Sequence, residues 1–134
     1  MQSNLLYRGL TKKIIKCFYE VYNELGSGFL ESVYENALKM VLIAEGMNVE
    51  QQKAIPVHFR NVIVGDFRAD LLVNQRIILE LKAVNHIKKE HIAQLINYLK
   101  ATDIKVGLLL NFGDKPEFKR MAFTKNEIRE NPRQ

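Results

Sequence analysis

Three charged residues stand inside stretches that are otherwise apolar. Asp70 lies in "RADLLV", and Glu80 and Lys82 lie in "RIILELKAV". A charge in an apolar strand costs free energy unless it is paired, hydrogen-bonded or bound to a metal. Side chains alternate along a strand, so Ile78, Glu80 and Lys82 share one face and Ile77, Leu79 and Leu81 the other. The hairpin between the two stretches decides whether Asp70 joins them. A three-residue loop, 74–76, sets Val73 opposite Ile77 and Asp70 opposite Glu80. A two-residue loop sets Asp70 opposite Leu79 and sends the two carboxylates to opposite faces. Two convergent carboxylates suit a hard divalent cation such as magnesium or manganese. A lysine two residues on can hold a nucleophilic hydroxide or offset charge growing on a phosphoryl group. That set is sufficient for phosphodiester hydrolysis. The competing reading is a structural Asp–Lys or Glu–Lys pair near a sheet edge.

A second group lies in "GSGFLESVYENAL". Gly28, Glu31 and Tyr34 are spaced by three, which puts Glu31 and Tyr34 on adjacent positions of one helix. With Gly28 as N-cap, Glu31 falls at the acid position of a capping arrangement, favoured also by the helix dipole. The alternative is that Glu31 reaches the strand charges as a third acid. Tyr34 reads as a packing residue. Farther on, Gln94 and Tyr98 are one helical turn apart and form a polar stripe, read either as site residues or as surface. His86 and His91 are five apart, on different helix faces, with no cysteine beside them, so the spacing argues against zinc. His58 reads as a lone structural histidine.

The elements that must position these groups follow from periodicity. Ile14, Phe18, Val21 and Leu25 recur at helical spacing, giving a helix over 11–25 capped by Thr11, with Cys17 a small core residue beside the stripe. "GSG" breaks it. A second helix is expected over 29–45, burying Leu30, Val33, Ala37, Val41 and Ala44, with Gly46 as its C′ residue. The period then changes. "AIPVHF" and "VIVGDF" read as strands around a turn near Asn61, "RADLLV" continues the second, and "RIILELKAV" is a third. A helix over 88–101 turns Ile92, Leu95, Ile96 and Leu99 inward. "KVGLLLNF" has the look of a sheet interior, and "EFKRMAF" of a last strand. The order α-α-β-β-β-α-β(-β) implies an α/β fold with a central mixed sheet and helices on both faces.

At 134 residues, 47% hydrophobic and 26% charged, the chain reads as one soluble globular domain, 1–134, with a polar tail at 125–134 expected to fray. No apolar run approaches the roughly 20 residues of a membrane span. A single cysteine, Cys17, permits no internal disulfide, and a reducing, cytoplasmic setting fits. The formal net charge of +5 is compatible with a polyanionic partner.

Taken in order, "GSGFLESVYENAL", "FRADLLV", "IILELKAV" and "AQLINYL" resemble the GxxExxY family, placed within the PD-(D/E)XK nuclease superfamily. The likeness covers residues 10–112. It implies a restriction-endonuclease-like core in which Asp70 and Glu80 match the two metal-binding acids and Lys82 the superfamily lysine. Glu31 matches the acid that many members carry on the first core helix. Gln94 and Tyr98 match a Q-x-x-x-Y feature that helps hold the site and the nucleic acid. Ala69 stands where the motif has proline, which shapes only the backbone. The resemblance implies a magnesium- or manganese-dependent nuclease acting on DNA. Asp70, Glu80, Glu31 and the Leu81 carbonyl would bind the metal, and Gln94 and Tyr98 would position the strand. A homodimer is left open. Two other readings stand beside this one: a catalytically silent nucleic-acid-binding or repair-accessory module on the same fold, and a protein-interaction domain.

Overall fold

The computed structural model describes residues 6–123; the tail expected to fray lies outside them. Two helices come first, α1 (Arg8–Leu25) and α2 (Glu31–Ala44). Three antiparallel strands follow, β1 (Val49–Phe59), β2 (Val62–Val73) and β3 (Ile77–Lys82). Then come α3 (Lys89–Ala101), β4 (Val106–Phe112) and β5 (Pro116–Ala122). The five strands lie in sequence order in one sheet. β3 and β4 are parallel and the other neighbours antiparallel, so α3 is the crossover between the parallel pair. The mixed sheet expected from the sequence is therefore present, fifth strand included.

Both faces are covered. On one, Ile14, Phe18 and Val21 of α1 and Tyr34, Leu38 and Leu42 of α2 pack over Leu71, Val73, Leu79, Leu81, Leu108 and Leu110. On the other, Leu95 and Leu99 of α3 pack over Ile78, Leu109, Leu72 and Phe67. β4, buried along its whole length, is the apolar centre that "VGLLLNF" predicts.

Three local expectations are corrected. α1 begins at Arg8 after Tyr7, whose φ is 56°; Thr11 is buried within the helix and caps nothing. α2 begins at Glu31 with Leu30 as N-cap, so Glu31 opens the helix and forms no capping arrangement. The third correction is the face of α2. Tyr34, Leu38 and Leu42 are buried, whereas Leu30, Val33 and Ala44 are exposed and only Ala37 and Val41 are partly covered. The helix carries two apolar stripes at helical spacing, and periodicity alone does not say which one turns inward. Tyr34 decides it. Its ring stacks on Phe112 with centroids 4.3 Å apart. Its hydroxyl donates to the Gly26 carbonyl (2.6 Å) and accepts from the Phe29 N–H (3.2 Å), locking the turn before the helix.

Candidate active site

The decisive loop is the three-residue one. Val73 pairs with Ile77, Leu72 with Ile78 and Leu71 with Leu79, leaving residues 74–76 as the turn. Asn74 and Gln75 both take positive φ (53° and 58°), and the Arg76 N–H closes the turn on the Val73 carbonyl at 2.9 Å. The same register carried one step on sets Asp70 opposite Glu80. There the ladder stops and side chains take over. The Asp70 N–H donates to Glu80 Oε2 at 3.2 Å, and the Leu81 N–H donates to Asp70 Oδ2 at 2.8 Å.

These bonds fix what faces the acids. Within a strand the N–H and C=O of one residue point to the same edge. The Leu81 carbonyl therefore points to the edge that holds Asp70. Two residues on, the Ala83 N–H donates to Glu31 Oε2 at 3.2 Å. Glu31 and Asp70 thus occupy successive positions along the open edge of β3, about 7 Å apart by the strand repeat. Lys82 shares its face with Glu80 and Ile78, on the α3 side. Glu80 and Lys82 line a small cleft there with His91, Gln94, Leu95 and Tyr98. Gln94 Nε2 lies 3.4 Å from the Tyr98 hydroxyl, and the Tyr98 ring stacks on Phe67. His91 accepts the Lys88 N–H through Nδ1, which ties its ring to the start of α3.

Glu35 and Gln52 complete the group and were not singled out from the sequence. Glu35 is buried, one helical turn beyond Glu31, and accepts from Gln51 Nε2 (2.7 Å) and Gln52 Nε2 (3.0 Å). Gln52 Nε2 also reaches Asp70 Oδ1 at 3.4 Å, so one amide bridges the two acids. The signal for Glu35 was its spacing of four from Glu31 at the start of an amphipathic helix. Gln52 gave none. Its φ is +51°, and Gln52 and Asp70 are the pair missing from the β1–β2 ladder between Gln51↔Leu71 and Lys53↔Ala69. Asn111 is a further hidden polar residue. Fully buried in β4, it donates to the Val84 carbonyl (2.8 Å) and Glu117 (3.0 Å), and accepts the Val84 N–H (3.0 Å). It clamps the chain that leaves β3 past the site.

The charge is not balanced. Burial pushes the Glu80 carboxyl up to about 8, with the neighbouring Asp70 adding to the rise. Burial also raises Asp70, against the opposing Leu81 N–H, and Glu35 and Glu31 add to it. Lys82 favours the ionised form of Glu80. Even so, the ion pair within 4 Å found among the described residues is Lys53–Glu50, away from this cluster. The structural Glu–Lys pair that the sequence left open is not formed. Among the described residues no three His, Cys, Asp or Glu side chains close into a ready cation cage. Asp70 and Glu80 adjoin, while Glu31 and Glu35 are held by backbone and amide donors. The donor set is nonetheless carboxylate and carbonyl oxygen, which fits a hard divalent cation and not zinc.

The sequence profile of the PD-(D/E)XK nuclease superfamily matches residues 8–121. The chain belongs to that superfamily. Its sheet order, α3 crossover and flanking helices are the restriction-endonuclease-like arrangement. Two solved structures are similar in fold. A protein named SSO0001 has 18% identity and a TM-score of 0.55, over 95% of this chain and 67% of that one. An alkaline exonuclease from Laribacter hongkongensis has 19% identity and a TM-score of 0.53, over 74% of this chain and 59% of that one. No curated protein sequence matches the chain.

Proposed function

We propose that this PD-(D/E)XK protein is a divalent-cation-dependent nuclease acting on DNA, of the GxxExxY type. The observation that carries the proposal is the meeting of Asp70 and Glu80 where β2 parts from β3, with Lys82 unpaired beside them. A half-buried pair of adjoining carboxylates with no ion pair of its own among the described residues is an unfavourable arrangement unless something else supplies positive charge.

In this reading Asp70, Glu80 and the Leu81 carbonyl would hold magnesium or manganese, and Glu31 would hold the ion or its water. Bound there, such a cation would supply Lewis-acid polarisation of the phosphoryl group and a more acidic water at neutral pH. The protein's own residues do the rest. Lys82 Nζ donates to the attacking oxygen or to the phosphoryl oxygen on which charge grows. Glu35, through Gln52, keeps Asp70 oriented towards the Leu81 edge. Gln94 and Tyr98, on the α3 wall of the cleft, position the scissile strand. The similar alkaline exonuclease supports a nuclease reading at the level of fold. The net charge of +5 suits a phosphate backbone.

The test is cleavage of linear, nicked and single-stranded DNA, with RNA alongside, in magnesium, manganese or chelator. Wild type is compared with Asp70→Ala and Lys82→Ala. Cation-dependent cleavage lost in both variants is the expected result. Cleavage that survives both sinks the assignment. Salt-sensitive DNA binding with no product and no heat of cation binding would instead favour the silent binding module.

A further inference from the structure

One side chain of the cleft beside Lys82 is of a type that its local bonding does not require. His91 is the third residue of α3, where a side-chain acceptor closes the start of a helix. Its Nδ1 accepts the Lys88 N–H at 3.0 Å. Glutamate and glutamine are the ordinary residues for that cap. Histidine makes the same bond and leaves a second ring nitrogen on the far side. A ring nitrogen that accepts carries no proton, so the N–H of His91 is at Nε2. Among the described residues nothing accepts it. The ring is half-buried and lines the cleft with Glu80, Lys82, Gln94 and Tyr98.

The neighbours of that N–H say what it can meet. Glu80 is the acid of the cleft, and its Oε2 already accepts the Asp70 N–H at 3.2 Å. Every other polar side chain there offers a donor: Lys82 Nζ, Gln94 Nε2 and the Tyr98 hydroxyl. His91, Gln94 and Tyr98 are spaced by three and four, so they form one stripe about 10 Å long on α3. Leu95 and Leu109, each 1% exposed, make the floor apolar, which strengthens a hydrogen bond formed above it. A row of donors facing one carboxylate fits an anion joined to that carboxylate through a cation.

We propose that His91 contacts the nucleic-acid backbone, its Nε2–H donating to a non-bridging oxygen of the phosphate next to the scissile one. The inference rests on the nuclease reading above, in which Lys82 serves the scissile phosphate. It extends the wall formed by Gln94 and Tyr98 by one turn, towards the loop that joins β3 to α3. The cap holds the ring in place before substrate arrives, so the donor is preformed and little side-chain entropy is lost on binding. The contact is the same before and during the reaction. It therefore holds the strand and does not speed the chemical step.

The test separates cap from donor. His91→Gln keeps both, with Oε1 accepting the Lys88 N–H and Nε2 donating into the cleft. His91→Glu keeps the cap and puts an anion in place of the donor. His91→Ala loses both. Binding of a labelled DNA oligonucleotide is read by fluorescence anisotropy in calcium, its cleavage in manganese, and folding by thermal melting. His91→Gln is expected to bind within about threefold of wild type, and His91→Ala and His91→Glu about ten- to a hundredfold more weakly. In His91→Ala the loss should fall on Kd and KM, with kcat within about threefold of wild type. His91→Glu should melt with wild type, so that a lost cap does not account for its weak binding. Wild-type binding by His91→Ala and His91→Glu overturns the proposal, as does His91→Gln binding as weakly as His91→Ala. A loss confined to kcat overturns it too. Wild type that binds DNA and cleaves it with no cation ends the nuclease reading alone, and the order of the binding constants still decides the contact. Wild type that does not bind DNA overturns both.

Discussion

Replacing Glu80 by glutamine tests the electrostatics of the site directly. In the folded protein this carboxyl is pushed up to about 8 from an ordinary 4.5, first by burial and then by Asp70. A folded-state pKa above the unfolded one means that the fold binds the extra proton. The stabilisation is complete below about pH 4.5 and is lost as pH rises through about 8. Each tenfold change in proton affinity is worth about 1.36 kcal/mol, so the cation-free protein loses on the order of 2–5 kcal/mol over that window. The lower end allows for the water that reaches a half-buried group. Glutamine has the same shape, still accepts the Asp70 N–H, and carries no charge. Glu80→Gln should therefore melt with wild type at pH 5 and above it by roughly 10 °C at pH 8 in chelator. Added manganese should raise the melting point of wild type at pH 8 and leave the variant unmoved. Melting curves across pH 5 to 9, with and without manganese, give both readings. Parallel pH profiles for the two proteins, or a variant less stable at pH 8, would refute the reasoning.

Lys82→Met keeps both acids and removes the unpaired cation. Cation binding should persist by calorimetry, while DNA cleavage falls by about a hundredfold or more. Tyr34→Phe keeps the stack on Phe112 but strips the hydroxyl from the Gly26 carbonyl and the Phe29 N–H, and should cost about 1–3 kcal/mol in urea unfolding. Gly113→Ala places a Cβ 1.9 Å from the Val84 carbonyl, against backbone that cannot yield. It should cost about 3 kcal/mol and loosen the Asn111–Val84 clamp, seen as faster hydrogen exchange at Val84.

The fold was legible where a pattern had one solution. The strands of "VIVGDF…RADLLV" and "RIILELKAV", the crossover helix and the buried "VGLLLNF" have no second face to offer. Asp70, Glu80 and Lys82 were legible because charges in apolar strands stand out, and the register that would join them could be stated as a loop length. α2 was misread for the opposite reason, since two apolar stripes satisfied the same period and only the Tyr34–Phe112 stack distinguishes them. Glu35 was not singled out because its burial depends on amides contributed by β1, 16 and 17 residues away along the chain. Gln52 was invisible because its role rests on a backbone angle that no residue type announces.

Several exceptions to local regularity fall in one place. Gln52 takes a positive φ in mid-strand, its pairing with Asp70 is missing, Asn74 and Gln75 take left-handed conformations, and the Leu81 and Ala83 N–H groups bond to side chains where a strand would bond them to backbone. Non-glycine residues held at positive φ cost on the order of 1–3 kcal/mol each and persist only where the surroundings impose them. All of these lie on the seam between β2 and its neighbours, and together they have one effect. They open the sheet at the level of Asp70 and Glu80, so that the Leu81 carbonyl, two N–H groups and the Asp70 and Glu31 carboxylates face a common edge in place of a closed ladder, with Glu80 and Glu35 beside it. A sheet built only for stability would close that ladder, with Asp70 and Glu80 replaced by apolar residues. The departure from regularity and the cluster of acids are thus one feature, which is the physical ground for reading this edge as the working part of the molecule.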